Sequence, residues 1–359
     1  MTKFSLFSVL ECPQGRPEPE VYRELLELFS HAEGLGFHAT WLAEHHFSDY
    51  GTLGGPAVFL SALASRTSKM RLGAAISVLP FHDPIRVAED FAVVNVISNG
   101  RLEFGTGRGY QPKEFAGFGK DMSEARGRFL ESLEIIQQAW SGEEIDFEGQ
   151  FYKVRGVRIR PQPVQKPVPT YVASVSPETF DLVKKWGHGV MASLLTNSIG
   201  QVTSGLSEFR KSLPADRRWK QSIPVMMPVY VARTMDAAYQ EVLPYCQWYW
   251  DTVGKLLPQK EDKIDASYAY FQKLGERTGT GADGLAKTMA RWPIGDVDHV
   301  VKYLTNLCRE STADEVICFA TLGAMEYRQA VRNLELISGE VMPRVRAALA
   351  DEQKLRDAV

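Results

Sequence analysis

Cysteine is scarce in this chain. Four occur in 359 residues, Cys12, Cys246, Cys308 and Cys318, and no two share a CxxC spacing. That excludes a disulfide scaffold and fits unpaired thiols in a reducing, cytoplasmic compartment. An excess of one charge is missing too. The 41 Lys and Arg are interspersed with 44 Asp and Glu, for a net charge of −3. Nothing in that balance marks a nucleic-acid partner. No run approaches the ~20 apolar residues that cross a bilayer, so no membrane segment is expected. The apolar stretch Phe4–Leu10 is short and leads into polar, proline-rich sequence. It reads as a first strand and not as a leader. Short-period repeats, low-complexity tracts and a nicotinamide-binding fingerprint are also absent. What remains is a chain that is 44% hydrophobic. It is long enough for one large α/β barrel or two ordinary domains.

Strand and helix patterns alternate along it. Strands are expected at Lys3–Leu10, Ala39–Ala43, Arg71–Leu79, Arg101–Thr106, Thr170–Val175, Val190–Leu195, Ile223–Val231 and Glu315–Phe319. Helices are expected between them at Glu20–Gly34, Pro56–Arg66, Pro84–Ile97, Ser123–Trp140, Pro177–Gly187, Gly200–Leu213, Met235–Val253 and Val297–Glu310, with Met325–Val341 last. In the first, Val21, Leu25, Leu28, Phe29 and Ala32 recur at helical spacing and a glycine closes the run. Eight strand candidates separated by helices favour a parallel (β/α)8 barrel, one domain over 1–359, above an open doubly wound sheet. Residues 143–169 break the rhythm with four prolines and read as a surface insertion. Residues 256–291 are irregular and rich in Gly, Thr and charge.

The richest stretch is Gly100–Tyr110. A strand with Leu102 and Phe104 on one face runs into Gly105, Gly107 and Gly109, with Arg108 and Tyr110 among them. Glycines let a backbone approach a flat or charged ligand closely, and arginine offers a planar fork for phosphate. Glycines at a barrel corner also simply relieve crowding. Glu44-His45-His46 follows the second strand, where alternation sends His45 one way and its neighbours the other. His45 is a candidate general acid/base, or a loop histidine satisfied by the backbone. No further ligand cluster completes a metal shell. Small residues Gly73-Ala74-Ala75-Ile76 end the third strand, and allow either a planar ring or tight packing. Ser176 and Pro177 are placed as helix cap and first helical residue, with Thr179 in the first turn. Such a start also suits an anion. Trp248, Tyr249, Trp250, Tyr268, Tyr270 and Phe271 are core aromatics or the lining of an apolar pocket.

Together these pieces resemble the bacterial luciferase-like family of flavin-dependent monooxygenases, and its light-emitting subunit in particular. The matches are Trp41-Leu42-Ala43-Glu44-His45-His46-Phe47, the Gly73–Pro80 strand end, Pro84–Asp90, Gly100–Tyr110, Asp121-Met122, Arg126 and Trp292-Pro293-Ile294-Gly295. Their order and separations hold from Phe4 to about Arg344. The resemblance implies a (β/α)8 barrel that binds reduced FMN at its C-terminal mouth. Arg108, Arg126, Ser176 and Thr179 are then expected on the FMN phosphate, with the amides of Val175 and Ser176. The ring would lie against Ala75–Ile76, often joined by a non-prolyl cis bond in the family, and Tyr110 would lie beside it. His45 matches the catalytic histidine, with Glu44 supporting it.

The implied chemistry is reaction of reduced flavin with O2 to a C4a-(hydro)peroxide that oxygenates a small apolar aldehyde or ketone, in a site kept dry by a lid at 256–291. A separate flavin reductase would supply the reduced cofactor. A homodimer is expected through the helices near strands two and three, where Pro56–Arg66 carries Val58, Leu60 and Leu63. Two alternatives stand: a deazaflavin (F420) hydride-transfer enzyme of the same fold, and a non-catalytic flavin-binding subunit. The chain differs from the luciferase subunit in having Gly107 for a cysteine, Val175 for a glutamate, and His82-Asp83-Pro84 for a His-Pro pair.

Overall fold

The computed structural model describes residues 1–174, 177–195, 197–215, 218, 222–259, 268, 271 and 282–350. The parallel barrel is built from Lys3–Ser8 (β1), Ala39–Leu42 (β2), Arg71–Val78 (β3), Leu102–Gly107 (β4), Thr170–Ala173 (β7), Gly189–Ser193 (β8), Pro224–Pro228 (β9) and Glu315–Phe319 (β12). The eight close in the order β1-β2-β3-β4-β7-β8-β9-β12. Ile145–Glu148 (β5) and Lys153–Val157 (β6) form an antiparallel hairpin outside it, within the expected insertion. Tyr230–Val231 (β10) pairs with Ile294–Gly295 (β11). Every expected barrel strand is present.

The barrel strands are buried on both faces, because side chains fill the interior and helices cover the outside. Helices Glu18–Gly34 (α1), Pro56–Ala64 (α2), Pro84–Ile97 (α3), Pro112–Gly117 (α4), Ala125–Ser141 (α5), Pro177–Trp186 (α6), Ile199–Ser212 (α7) and Met235–Val253 (α8) lead the outer layer. Val21, Leu25, Leu28, Phe29 and Ala32 of α1 are all buried. Asp83 caps α3 by accepting from the amides of Ile85 and Arg86, and Pro84 takes the first turn. Ser198 and Gln201 close a capping box on α7.

Three readings of the sequence need correction. The strand expected over Ile223–Val231 is two. Pro228 has no N–H to continue the ladder, and beyond it the chain leaves the barrel to pair with Ile294–Gly295. The helix expected over Met325–Val341 is Tyr327–Leu336, followed by a wide turn at Ile337–Val341 and a helix at Met342–Ala348. There Pro343 offers no N–H to the carbonyl of Gly339, one turn back. Two short helices were not expected: α4, where the sequence reading placed no element, and Ala282–Met289, within the stretch read as irregular. Among the described residues, no helix is long and apolar enough to cross a membrane.

Candidate active site

The backbone after β2 is pinned three times at the mouth of the barrel. The Glu44 N–H bonds the Ile76 carbonyl and the His45 N–H the Leu53 carbonyl. The His46 N–H bonds Oε1 of Glu114 at 2.9 Å. So fixed, the three side chains diverge as alternation requires. Glu44 is 2% exposed. Its Oε1 accepts from Nε2 of His46 at 3.0 Å and from Nε2 of His82 at 2.6 Å. Its Oε2 accepts from the Val78 amide at 2.9 Å. Burial acts to raise the Glu44 carboxyl, but the hydrogen bonds from His46, His82 and Val78 outweigh it and hold it below the usual range. Burial likewise opposes charge on His82, yet Glu44 raises its pKa. These three residues form the most metal-like group, with ligand atoms within 4.8 Å of one another. Their N–O spacings of 2.6 and 3.0 Å are those of hydrogen bonds. Two ligands of one tetrahedral zinc ion would stand about 3.3 Å apart.

Glu44 therefore does not support His45, as the sequence suggested. Glu114 does. Nδ1 of His45 lies 3.0 Å from Oε1 of Glu114 and 3.1 Å from the side-chain amide of Gln111. Both partners are fully buried, at 1% and 0% exposure. A carboxylate only accepts, so Nδ1 carries a proton and donates it to Glu114. A protonated Nδ1 has no lone pair for the Gln111 NH2. Turning the amide so that its oxygen faces the ring resolves this, and gives the otherwise unpartnered Oε1 of Gln111 a donor. Nε2 makes no hydrogen bond among the described residues. The imidazole is held at one nitrogen by a buried carboxylate and free at the other, the arrangement of a general acid/base. Gln111 and Glu114 are the N-cap and third residue of α4. The sequence reading missed both, because six helical residues carry no periodicity.

Aromatic rings surround His45. Tyr50 lies 4.8 Å and Tyr110 6.2 Å from its ring. The Tyr50 ring also lies 5.8 Å from that of Tyr249. Burial pushes Tyr110 up to about 12 and the other two well above the usual phenol value, so all three stay protonated near neutrality. Phe271 stacks on Tyr110 at 4.9 Å, and Arg108 lies over the ring of Tyr268 at 5.0 Å. Two described residues of the 256–291 segment thus rest on two expected cofactor residues.

The ends of β3, β4 and β7 meet beside this group. The Ala75–Ile76 peptide is cis. A Cβ added to Gly105 would lie 2.2 Å from the Ala74 carbonyl oxygen, and one on Gly107 would lie 2.3 Å from Cδ1 of Ile76. Gly105 is needed for β4 to pack on β3, the crowding relief that the sequence left open; at Gly107 the neighbour is the end of the Ile76 side chain, which can turn aside. Ile76 and Tyr110 pack with Phe81, Phe115, Met122 and Ala125, which brings the start of α5 to the mouth. Arg126 follows there and is exposed. Thr179, in the first turn of α6, takes a hydrogen bond from Ser174 at 3.0 Å. Val175 and Ser176 lie outside the described residues, as does Tyr270. Arginines 108 and 126 with the Thr179 hydroxyl are donors of the kind a phosphate takes, and suit that end of FMN.

The fold and mouth define a (β/α)8 enzyme barrel with a carboxylate-held histidine among aromatic rings. Residues 2–315 match the luciferase-like monooxygenase family. The chain belongs to that family. It is 27% identical to the uncharacterized protein y4vJ of Sinorhizobium fredii over 92% of this chain and 93% of that one. It is 32% identical to the alkanal monooxygenase alpha chain of the Kryptophanaron alfredi symbiont over 55% of each. The oxygenase component of a flavin-dependent trigonelline monooxygenase of Acinetobacter baylyi is also 32% identical, over 54% of each. These last two matches span about half the length of each relative. Among solved structures, monooxygenase RslO1 from Streptomyces bottropensis superposes with a TM-score of 0.80 at 25% identity, covering 95% of this chain and 99% of that one. The oxygenating constituent of 3,6-diketocamphane monooxygenase from Pseudomonas putida, in complex with FMN, gives 0.75 at 17% identity over 95% and 98%. The F420-dependent tetrahydromethanopterin reductase from Methanopyrus kandleri gives 0.68 at 16% over 96% and 99%. The likeness to these last two is one of fold alone.

Proposed function

We propose that this chain is the oxygenating component of a two-component monooxygenase, taking reduced FMN from a separate reductase and oxygenating a small apolar aldehyde or ketone with O2. The observation that carries this reading is His45: Nδ1 held by buried Glu114, no hydrogen bond at Nε2 among the described residues, and the rings of Tyr50 and Tyr110 beside it. Reduced FMN, when bound, supplies the electrons for activating O2. The chain's residues supply the rest. Arg108, Arg126, Thr179 and Ser176, with the Val175 and Ser176 amides, take the phosphate. Ala75–Ile76 and Tyr110 flank the ring. His45 gives and takes a proton at Nε2 while Glu114 keeps Nδ1 protonated. Tyr50, Tyr110, Phe271 and Tyr268 exclude water, which limits unproductive release of hydrogen peroxide. Glu44 keeps the floor of this region in place through His46 and His82.

Mixing the reduced, anaerobic complex with O2 and then with a panel of aldehydes and ketones tests the reading. Oxygenated product from at least one carbonyl class supports it. Tight binding of F420 and hydride exchange without O2 would replace it with the deazaflavin reading. Flavin binding with no turnover of any substrate would point to a non-catalytic subunit.

A twofold pair of chains belongs to the same proposal. Leu60 and Leu63, expected at the interface, are buried in their own barrel. Val58 on α2 is 77% exposed, and Ile97 on α3 is 50% exposed, near Val93 and Val96. Those adjacent helices offer an apolar face that pairing would cover. The four buried cysteines, none of them in a disulfide, suit a cytoplasmic location.

A further inference from the structure

The short helix α4 and its two flanking residues close like a clamp on residues 45–47. Glu114 takes the His45 ring and the His46 amide on one oxygen, at 3.0 and 2.9 Å. Lys113 donates to the Phe47 carbonyl. Phe118, at the helix end, lies 4.6 Å from the His46 ring and 5.2 Å from that of Phe47. Gln111 is the member with no evident local purpose. It is the N-cap of α4, and its carbonyl receives the Glu114 and Phe115 amides at 3.1 and 3.3 Å. Its side chain makes no capping bond, and glutamine is not among the favoured caps. That side chain turns instead to His45, 3.1 Å from Nδ1, and is fully buried.

We propose that Gln111 is a positioning residue for His45, sharing the Nδ1 proton with Glu114 and so fixing both the tautomer and the plane of the ring. Glu114 alone leaves the ring under-determined, because its Oε1 divides between two donors and can follow the His46 amide. A second acceptor, on a different side chain, gives the N–H two fixed ends in a three-centre bond. Gln111 supplies it once its amide oxygen faces the ring. In either orientation one end of the amide keeps no protein partner among the described residues. With the oxygen on the ring that end is the NH2, a donor that a buried water can accept. The proton on Nδ1 stays where it is throughout. Nε2 is then the nitrogen with an open lone pair, and the ring presents it in one direction only. The sequence pattern fits this division of roles: Pro112 holds the first turn, so the N-cap side chain is released for the site.

The inference deepens the oxygenase reading and rests on it only for the effect on turnover; its first test needs no cofactor. Nitrogen-15 spectra of the apo protein with labelled histidine, in alkaline solution where imidazoles are neutral, report the tautomer. The His45 signals are those lost in His45→Ala. The wild-type protein should show the Nδ1–H form. Gln111→Asn introduces a better helix cap that is too short to hold the ring. It should leave thermal stability unchanged or higher, bring up the Nε2–H form, and lower turnover about tenfold, inside the hundredfold that a misplacement of about 1 Å can cost. Reduced-FMN affinity should stay within about threefold, since no phosphate contact is touched. Gln111→Glu keeps an oxygen at the same place, so it should retain the Nδ1–H form and most of the turnover; it also decides the matter if the Asn variant does not fold. A wild-type ring in the Nε2–H form overturns the proposal, as does an Asn variant with unaltered His45 signals. The expected tautomers in a protein that oxygenates no substrate overturn the oxygenase reading instead and leave the positioning role standing.

Discussion

The two ends of the barrel both bury carboxylates, but give them different company. At the N-terminal floor Glu315 accepts from the Trp41 indole at 2.9 Å and from Ser5 and Ser222 at 2.7 and 3.1 Å. Glu103 pairs with Arg71, and Asp314 with Arg210. None of these donors changes protonation in the ordinary pH range. At the C-terminal mouth Glu44 and Glu114 are met by imidazoles and main-chain amides, and Glu11 by amides alone. Partners that titrate can move protons; partners that do not can only hold a fold together. The difference matches the division of labour in such barrels, stability below and chemistry above.

The sharpest way to break this comparison is at the floor. Arg210 is 2% exposed and bonds Asp314, the Thr312 carbonyl and the Arg218 carbonyl. Arg210→Ala should cost about 3–5 kcal/mol in urea unfolding, because it breaks the pair with Asp314 and takes the donor from the Thr312 and Arg218 carbonyls. A loss under about 1 kcal/mol would mean that the floor pairs are as dispensable as surface ones.

His188 is the floor's exception, a buried imidazole whose Nε2 has no hydrogen-bond partner among the described residues. Burial lowers it from 6.5 to about 4. The folded-state pKa is depressed, so the unfolded chain takes up the proton first as pH falls. Stability is whole above pH 6.5 and is lost as pH falls toward 4, by about 3 kcal/mol from this residue. His188→Gln should flatten that part of the stability-versus-pH curve; an unchanged slope would place the acid sensitivity elsewhere.

At the mouth the comparison predicts the reverse pattern, lost turnover with little lost stability. His45→Ala should lower product formation by ~10²-fold or more and raise hydrogen peroxide release. Reduced-FMN affinity should stay within about threefold, under ~1 kcal/mol. Normal coupling and turnover would reduce His45 to a loop histidine. Glu114→Gln should cost less, about tenfold to a hundredfold, with Glu114→Asp partly restoring turnover, since it acts by fixing the imidazole. The smallest effect is expected from the phosphate arginines. Arg108→Ala should weaken reduced-FMN binding by about 1.5–3 kcal/mol and exposed Arg126→Ala by less, read by anaerobic titration.

The barrel was legible because each of its strands is an apolar run set off by helices with clear stripes and caps. His45 was legible because it follows a strand end directly. Its partner was not. Glu114 sits in a six-residue helix, too short for a period to emerge, and reads as an ordinary acid after Pro112-Lys113. Glu44 was the natural guess as neighbour, yet the alternation that sends His45 one way sends Glu44 the other. Tyr50 and Tyr249 meet beside His45 only through barrel closure, which local pattern does not encode. One signal was available: Gln111 and Glu114 stand at capping-box spacing, and the carboxylate that usually turns back on its own helix here reaches the His46 amide instead.

The bare backbone at Gly105 has a consequence for how this protein tolerates change. A library selected only for folded protein should reject side chains there, where a Cβ already meets the Ala74 carbonyl, while accepting many residues at 108, 126 and 45. Selected for turnover, the same library should become intolerant at those three as well. The difference between the two selections would trace the outline of the site without any ligand present. It would also show why a glycine-rich signature so near a catalytic mouth records the demands of architecture before those of chemistry.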